Sequence, residues 1–243
     1  MEETNLIKSK QRINELGEVF TPLKTVNLML DQPEIKAKIE ELTATFLEPA
    51  AGEGAFLVEL LRRKMEVALK QSKNINDYND KSLIALSTLY GIELMEDNME
   101  VLVMRMYRQF AESYNKGMFM LGGQPDKQVL DSAIVIIQAN MVQGNALTKL
   151  NASGEPLIFS EWKLLPKARK DARQKVQRLE YTFQDILDGN KESDGKINKE
   201  VAEDIDLLSF LDEDYDPEKD VEDKKVNYLP VKITEVYKKL TDE

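Results

Sequence analysis

The sequence predicts an α/β fold in which helices cover both faces of a doubly wound, parallel sheet. Short runs rich in β-branched and aromatic residues alternate with longer segments whose apolar residues recur at helical spacing. A glycine-rich turn follows the first of these strands directly and leads into a helical pattern, which is typical of such sheets. With 243 residues, of which 42% are hydrophobic, the chain is long enough to bury one sizeable core.

The elements follow one another in the order that this fold requires. A polar arm over residues 1–16 precedes a helical region over 26–42 that is broken near Pro33, and the first strand, TATFLEP, stops at Pro49. After the glycine turn we expect, in chain order, a helix over 55–69, a polar loop over 71–81, a strand in LYGIEL, helices over 96–114 and 127–138, strands in NMVQG and at 156–159, a helix through 163–178, a strand in LEYTF and a helix over 201–211.

The chain contains no cysteine and no histidine, which excludes several classes of function. It has no disulfide framework, no thiolate or imidazole zinc site, and neither a cysteine nucleophile nor a histidine base, so we expect no metal centre. No run of 18 apolar residues and no short apolar leader is present. We therefore expect a cytoplasmic protein that does not enter a membrane.

The net charge of −11 is distributed unevenly along the chain. Residues 185–243 contain 19 acids and 9 bases, whereas residues 1–184 contain 25 acids and 24 bases. The sequence thus divides into an N-terminal helical region over 1–42, a main domain over 43–184 and an acidic C-terminal extension over 185–243. The main domain ends in a basic cluster: Lys163, Lys167, Arg169, Lys170, Arg173, Lys175 and Arg178.

The basic cluster at 163–178 has two interpretations. Lysine and arginine at this density can contact the phosphates of DNA. The alternative is a solvated helix face that pairs with the acidic extension of the same chain. Both interpretations stay open at the level of sequence.

The segment LEPAAGEGAF places Gly52 and Gly54 between a strand and a helix. Glycines at this point let the backbone approach a ligand, and a helix N-terminus offers unpaired amides. Glu93, at the end of the next strand, is suited to accept hydrogen bonds from ribose hydroxyls. The nicotinamide fingerprint fails because Leu57 stands where its third glycine belongs. Two glycines after a strand do not by themselves identify the ligand.

Four segments, GEVFTP, LEPAAGEGAF, YGIEL and GNAL, resemble in content and order those of the DNA methyltransferases that modify amino groups, including the modification subunits of restriction systems. The resemblance covers residues 15–150. It implies a Rossmann-like fold, S-adenosylmethionine as cofactor and methylation of the exocyclic amino group of adenine in DNA. Methylation of the cytosine ring carbon needs a cysteine nucleophile, which this chain lacks, whereas transfer to an amine forms no covalent intermediate.

The resemblance also assigns a cofactor site residue by residue. The FTP segment closes over the methionine end of the cofactor, the glycine loop approaches it, the strand-end acid holds the ribose, and the residue in GNAL flanks the adenine ring. These positions correspond to Phe20, Thr21 and Pro22; to Glu48, Pro49, Ala50, Ala51, Gly52, Glu53, Gly54 and Phe56; to Glu93; and to Asn145. Each also has a purely structural interpretation: the phenylalanines as core aromatics, the acids as helix caps or surface groups, and Asn145 as an ordinary turn residue.

The family's catalytic motif, [DNS]PP[YFW] at the end of the fourth strand, is absent, because no two of the eight prolines are adjacent. That motif stacks the extracted base on an aromatic ring and accepts hydrogen bonds from its amino group. At the expected position the chain carries Ser160, Glu161 and Trp162. Trp162 can supply the ring and either neighbour the acceptor; alternatively, Trp162 is a packing residue.

Three hypotheses follow from these residues. The first is a DNA adenine methyltransferase that is diverged, truncated or dependent on a protein subunit that supplies target recognition or the missing motif. The second is a catalytically degenerate methyltransferase-fold module that binds a protein partner or mimics DNA with its acidic extension. The third is a methyltransferase of a small molecule or protein. We take the first as our prediction.

Overall fold

A three-stranded parallel sheet lies at the centre of the computed structural model, which describes residues 21–169, 171–189 and 227–242. Its strands are β1 (Phe46–Glu48), β2 (Leu89–Glu93) and β3 (Met141–Gln143), in the order β1-β2-β3. β2 is therefore the middle strand, and both of its pairings are parallel. The prediction of an α/β protein with a parallel sheet is confirmed.

Five of the seven α-helices among the described residues agree with the periodicity of the sequence. The break near Pro33 is confirmed, because Pro33 is the first residue of a new helix, where a missing backbone N–H costs nothing. In chain order the helices are α1 (Leu23–Leu30), α2 (Pro33–Glu40), α3 (Ala55–Gln71), α4 (Ile75–Ser87), α5 (Glu96–Met120), α6 (Lys127–Asn140) and α7 (Phe183–Asp188).

The polar loop predicted over residues 71–81 is wrong, because most of this segment belongs to α4. The side chain of Asn74 caps the helix by accepting a hydrogen bond from the backbone N–H of Asp77. Two of the polar residues that suggested a loop are buried and bonded: Asn79 accepts from the Tyr114 hydroxyl at 2.7 Å, and Asp80 pairs with Arg173 at 2.8 Å. An additional helix thus explains the long spacing between Gly54 and Glu93.

The two faces of the parallel sheet have different coverings. Gly91 faces the helices so closely that an added Cβ would lie 2.8 Å from the Leu57 side chain. On the opposite face, Tyr90 packs edge-on against Phe159, with 5.8 Å between the ring centroids. Phe159 packs edge-on against Phe183, with 5.7 Å between the ring centroids. Within the described ranges this second face is covered by strands and α7. The expectation of helices on both faces is therefore corrected.

The covering layer is an antiparallel hairpin of β4 (Ile158–Leu164) and β5 (Lys175–Thr182), paired along the whole length of β4. Two predictions fail here: the segment at 156–159 does not add a fourth parallel strand, and the described residues of 163–178, all but Lys170, form no helix. Apolar and polar residues alternate only from Leu179 to Thr182, and the pairing of β5 with every residue of β4 extends the strand back to Val176. The strand expected in LEYTF is confirmed as the end of β5.

The last described residues return to the main core although they belong to the acidic extension. β7 (Val231–Lys232) pairs with β5, and a 3₁₀ helix (Ile233–Lys238) packs against α6 with Ile233 fully buried. Two further short strands, β6 (Asn227–Tyr228) and β8 (Thr241–Asp242), pair with each other. The predicted N-terminal arm and the predicted helix over 201–211 lie outside the described residues.

A search of the described helices for a membrane span finds none that combines sufficient length with sufficient apolar character.

Candidate cofactor-binding site

The loops that follow the three parallel strands meet at the carboxyl ends of these strands. This end of the sheet is called the sheet edge. Ala51, after β1, donates its backbone N–H to the carbonyl of Ile92 at 2.9 Å. Gly144, after β3, donates to the carbonyl of Glu93 at 2.9 Å. Both outer loops are thereby tied to the end of β2. Ligands of open α/β sheets bind at this edge.

Gly52 and Gly54 both adopt backbone conformations that favour glycine, with φ of +54° and +81°. Their surroundings differ. A Cβ on Gly54 would collide with the Leu102 side chain of α5, whereas a Cβ on Gly52 would have nothing within 4 Å. Gly54 thus permits the close packing of α3 against α5, and Gly52 borders open space at the edge of the sheet.

Glu93 joins the glycine loop to the start of α5. One carboxyl oxygen accepts the backbone N–H of Gly52 at 2.7 Å, and the other accepts the backbone N–H of Met95 at 3.0 Å and the side-chain amide of Asn98 at 3.3 Å. Glu93 is only 7% exposed. Three donors therefore fix the orientation of this acid, and the oxygen that accepts only the Gly52 N–H has a further lone pair for a ligand hydroxyl.

The glycine loop is held from two further directions. Arg105 of α5 donates to the backbone carbonyl of Glu53 at 2.9 Å. Glu48, at the end of β1, is half-buried, and this burial raises the pKa of its carboxyl group although the Ala50 N–H bonded to it acts in the opposite direction. Pro49 and Ala50 are exposed. The loop therefore presents backbone and one partly desolvated acid at the edge of the sheet.

The side chains of two predicted cofactor-binding residues make contacts that stabilise the fold. Phe56 is partly buried and packs against the helical core. The side chain of Asn145 accepts the backbone N–H groups of Leu147 at 2.9 Å and Thr148 at 3.2 Å, which stabilises the turn after β3. Asn145 still lies at the same edge as Gly52 and Glu93, because its neighbour Gly144 is bonded to Glu93.

The FTP segment is described in part, since Phe20 lies outside the described residues. Thr21 and Pro22 are exposed, and Pro22 precedes α1. Arg63 of α3 donates to the side chains of Asn27 at 2.9 Å and Asp31 at 2.8 Å, which holds α1 against α3. The FTP segment and the glycine loop therefore adjoin two helices that pack together.

Ser160, Glu161 and Trp162 lie in the middle of β4, not at the end of a fourth parallel strand as expected. The Trp162 indole donates to the buried Asn140 side chain at 2.9 Å, and the Ser160 hydroxyl accepts from Arg178 at 2.9 Å. Glu161 is exposed. Two of the three side chains that were candidates for catalysis are therefore occupied by contacts inside the fold.

The basic cluster is divided by the hairpin into two groups. Arg173 pairs with Asp80 at 2.8 Å, and Arg178 pairs with Glu180 at 2.7 Å. These two arginines serve the fold. Lys170 lies outside the described residues. The exposed members are Lys163, Lys167, Arg169 and Lys175.

Asn98 and Gly91 contribute to this site, and the sequence analysis missed both. Asn98 is 1% exposed and bonds to Glu93, while Gly91 lets β2 approach α3. An asparagine in the first turn of a helix that follows a strand-end acid is a usable signal, because a buried amide needs a partner nearby. No comparable signal marks Gly91, since its role depends on Leu57, which is distant in sequence.

Comparison with known proteins identifies no relative: no family model matches the chain, and no significant match exists among the curated proteins or the solved structures.

Proposed function

We propose that this chain is an S-adenosylmethionine-dependent methyltransferase of the kind that modifies the exocyclic amino group of adenine in DNA, and that it depends on a protein partner for the complete reaction. The observation that carries this proposal is the 2.7 Å hydrogen bond from the Gly52 N–H to Glu93. It brings the glycine loop and the strand-end acid, which are 41 residues apart in sequence, to one place. A nucleoside cofactor requires this combination.

The arrangement of the strands favours a Rossmann-like sheet. A glycine loop after β1 leads into α3, β2 is the neighbouring strand, and β3 follows on the far side of β2. This order corresponds to one half of a doubly wound sheet. In this proposal the hairpin β4–β5 occupies the face that the helices of a second half would cover.

The residues at the sheet edge fit such a cofactor. Open space next to Gly52 lets the ligand reach the loop backbone, and Glu93 is oriented by three donors to accept the ribose hydroxyls. Asn145 and the exposed Thr21 and Pro22 would contribute to the rims of the site. S-adenosylmethionine, when bound, supplies a methyl group activated by its attachment to a sulfonium.

The chain offers fewer groups for the target base. Transfer to an amine needs an aromatic surface for the extracted base and an acceptor for the amino protons. Trp162 and Ser160 are engaged within the fold, which leaves Glu161 as the exposed acceptor of the three. We therefore assign the missing groups to a partner subunit, and the exposed lysines and arginine of the basic cluster to the DNA phosphates.

A second function, a catalytically degenerate module that binds a partner, is favoured by one specific observation. Trp162 is 6% exposed and its indole is bonded to Asn140, so it is placed as a packing residue. If no partner supplies the missing groups, the chain can bind cofactor without transferring the methyl group.

The experiment that separates these functions is a methyl-transfer assay with radiolabelled S-adenosylmethionine and two DNA polymers, one of adenine and thymine and one of guanine and cytosine. The assay is run with the chain alone and with an extract of its source cells, which supplies the partner. Label that depends on the chain and enters the adenine polymer alone, in either condition, supports the first function. Cofactor binding without transfer to either polymer in both conditions supports the second. A Glu93→Ala variant should lose cofactor binding about a hundredfold, and Glu96→Ala, an exposed acid three residues later, is the matched control. Equal binding by both variants would contradict the site.

A further inference from the structure

Strand β1 is an outer strand of the parallel sheet. Its long side that faces away from β2, the edge of β1, pairs with no strand among the described residues. The backbone N–H of Phe46 donates to Thr88 at 2.9 Å, so the hydrogen-bonding groups of Phe46 face β2. Because these groups alternate in direction along a strand, those of Thr45 and Leu47 face the opposite edge. Edges of parallel sheets are normally covered, since their backbone groups otherwise remain available to another chain.

A cavity of about 430 Å³ adjoins this edge, between β1 and the hairpin layer. It is within the range of sites that hold a side chain or a small ligand. Leu47, 43% exposed, and Ile186, 49% exposed, stand at its mouth. The walls are aromatic: Tyr90, Phe159, Tyr181 and Phe183.

The charged side chains that line the cavity are all acidic. Glu161 and Asp185 line it, and no lining residue is basic. Asp185 bonds to the Thr182 hydroxyl and caps α7, whereas Glu161 is exposed on the middle of β4. An occupant with positive charge beside an apolar segment would therefore complement this surface.

Charge also argues against two other occupants. A second copy of the chain carries a net charge of −11, and residues 190–226 of the same chain contain 14 acids and 6 bases. Both have the same sign as the cavity, so each would meet repulsion there. A different, basic protein meets attraction.

We propose that the edge of β1 opposite β2, which no described strand covers, and the adjoining cavity bind an extended apolar segment, flanked by lysine or arginine, from a partner protein. The segment adds a strand to the sheet through the backbone groups of Thr45 and Leu47. An apolar side chain of the segment enters the aromatic cavity, and a flanking base meets Glu161. This surface lies beside β1 and not at its carboxyl end, so its occupation does not depend on the cofactor.

The first test uses two labelled peptides of equal length, Lys-Val-Thr-Val-Thr-Val-Lys and Glu-Val-Thr-Val-Thr-Val-Glu, titrated with the full chain by fluorescence anisotropy. The lysine-flanked peptide should bind at least tenfold more tightly. Leu47→Pro removes the edge N–H and should weaken this binding at least tenfold, and Glu161→Gln should reduce the preference for lysine flanks. Glu100→Gln, an exposed acid on α5, is the matched control. Equal affinities for the two peptides, or no binding of either, would overturn the proposal.

A second measurement distinguishes the occupants and does not depend on Leu47→Pro being folded. The chain has no cysteine, so Ile186→Cys places a single thiol at the mouth of the cavity. A maleimide probe should react rapidly with the isolated variant and at least fivefold more slowly with the lysine-flanked peptide bound. Protection of the isolated chain at every concentration would identify its own segment as the occupant. Protection that grows with protein concentration would identify a second copy; either result overturns a separate partner.

Discussion

The edge of the parallel sheet and the hairpin that covers its second face use their polar side chains in opposite ways. At the sheet edge, Gly52 borders open space and Glu93 is oriented by hydrogen bonds next to that space. In the hairpin, Ser160 and Trp162 direct their polar atoms at Arg178 and Asn140 inside the fold. A residue that lies beside open space can serve a ligand, whereas one that satisfies a buried partner serves stability.

This difference separates two parts of the proposed reaction. Cofactor binding is assigned to the sheet edge, where the described residues leave space. The base-binding step needs groups that the hairpin uses for its own packing. The proposed partner-dependent methyltransferase is consistent with both regions.

The largest expected effect concerns the two glycines of the loop. Gly54→Ala should lower the free energy of unfolding by about 2–4 kcal/mol, because the new Cβ meets Leu102 and the residue has a positive φ. Gly52→Ala should cost about 1–2 kcal/mol, from φ alone. Urea unfolding followed by circular dichroism measures both. An equal decrease in the free energy of unfolding for the two variants would contradict the open space beside Gly52.

A smaller effect is expected in the hairpin. Trp162→Phe keeps an aromatic ring but leaves the oxygen of the fully buried Asn140 side chain without its indole donor. The free energy of unfolding should fall by about 1–3 kcal/mol. Tyr107→Phe, at a partly exposed position of α5, is the control and should change stability by less than about 0.5 kcal/mol.

The same Trp162→Phe variant tests the division between the two regions. Its affinity for S-adenosylmethionine, measured by calorimetric titration, should equal that of the parent. A lost affinity at unchanged stability would place Trp162 in the ligand site and contradict the structural role assigned to it.

The smallest expected effect is the pH dependence of stability that a buried lysine on α3 causes. Arg178 in the hairpin is paired with Glu180, but Lys64 on α3 is fully buried and donates to the carbonyl of Ala44 at 2.7 Å. Burial lowers the pKa of Lys64 from 10.5 to about 7, opposed by the charge of Glu41. Between these two values the unfolded chain holds the extra proton, so stability should rise as the pH rises.

Lys64→Met should remove about 1–2 kcal/mol of the gain in stability between about pH 7 and about pH 9. Urea unfolding at the two pH values measures this gain. Lys70→Met, an exposed position on the same helix, should leave the gain unchanged. A parent protein whose stability is flat over this range would contradict the assignment of a neutral, buried Lys64.

Sequence patterns predict the parallel sheet well because two of its strands are followed directly by a breaker, β1 by Pro49 and β3 by Gly144. The glycine loop and the spacing of apolar residues in α3 are also local signals. The conformations of Gly52 and Gly54 also follow from local chemistry, since residues other than glycine rarely adopt them. The convergence of Gly52 and Glu93 was expected from strand order, and their hydrogen bond agrees with it.

The hairpin and α4 could not be predicted in this way, because long-range contacts decide them. Asp80 is tolerated in a buried helix since Arg173, 93 residues later, neutralises it. β4 becomes part of a hairpin because Trp162 finds Asn140 and because β5 lies beside it. Neither partner is visible in a local window of sequence.

The central claim is that a nucleoside cofactor binds beside Gly52, and calorimetric titration of the purified chain with S-adenosylmethionine tests it most directly. Gly122 is a matched control, because it also has a positive φ, +72°, and nothing within 4 Å of an added Cβ. The parent and Gly122→Ala should bind with equal affinity, and Gly52→Ala should bind at least tenfold more weakly. A parent that does not bind, or a Gly52→Ala variant that binds as tightly as the parent, would contradict the claim.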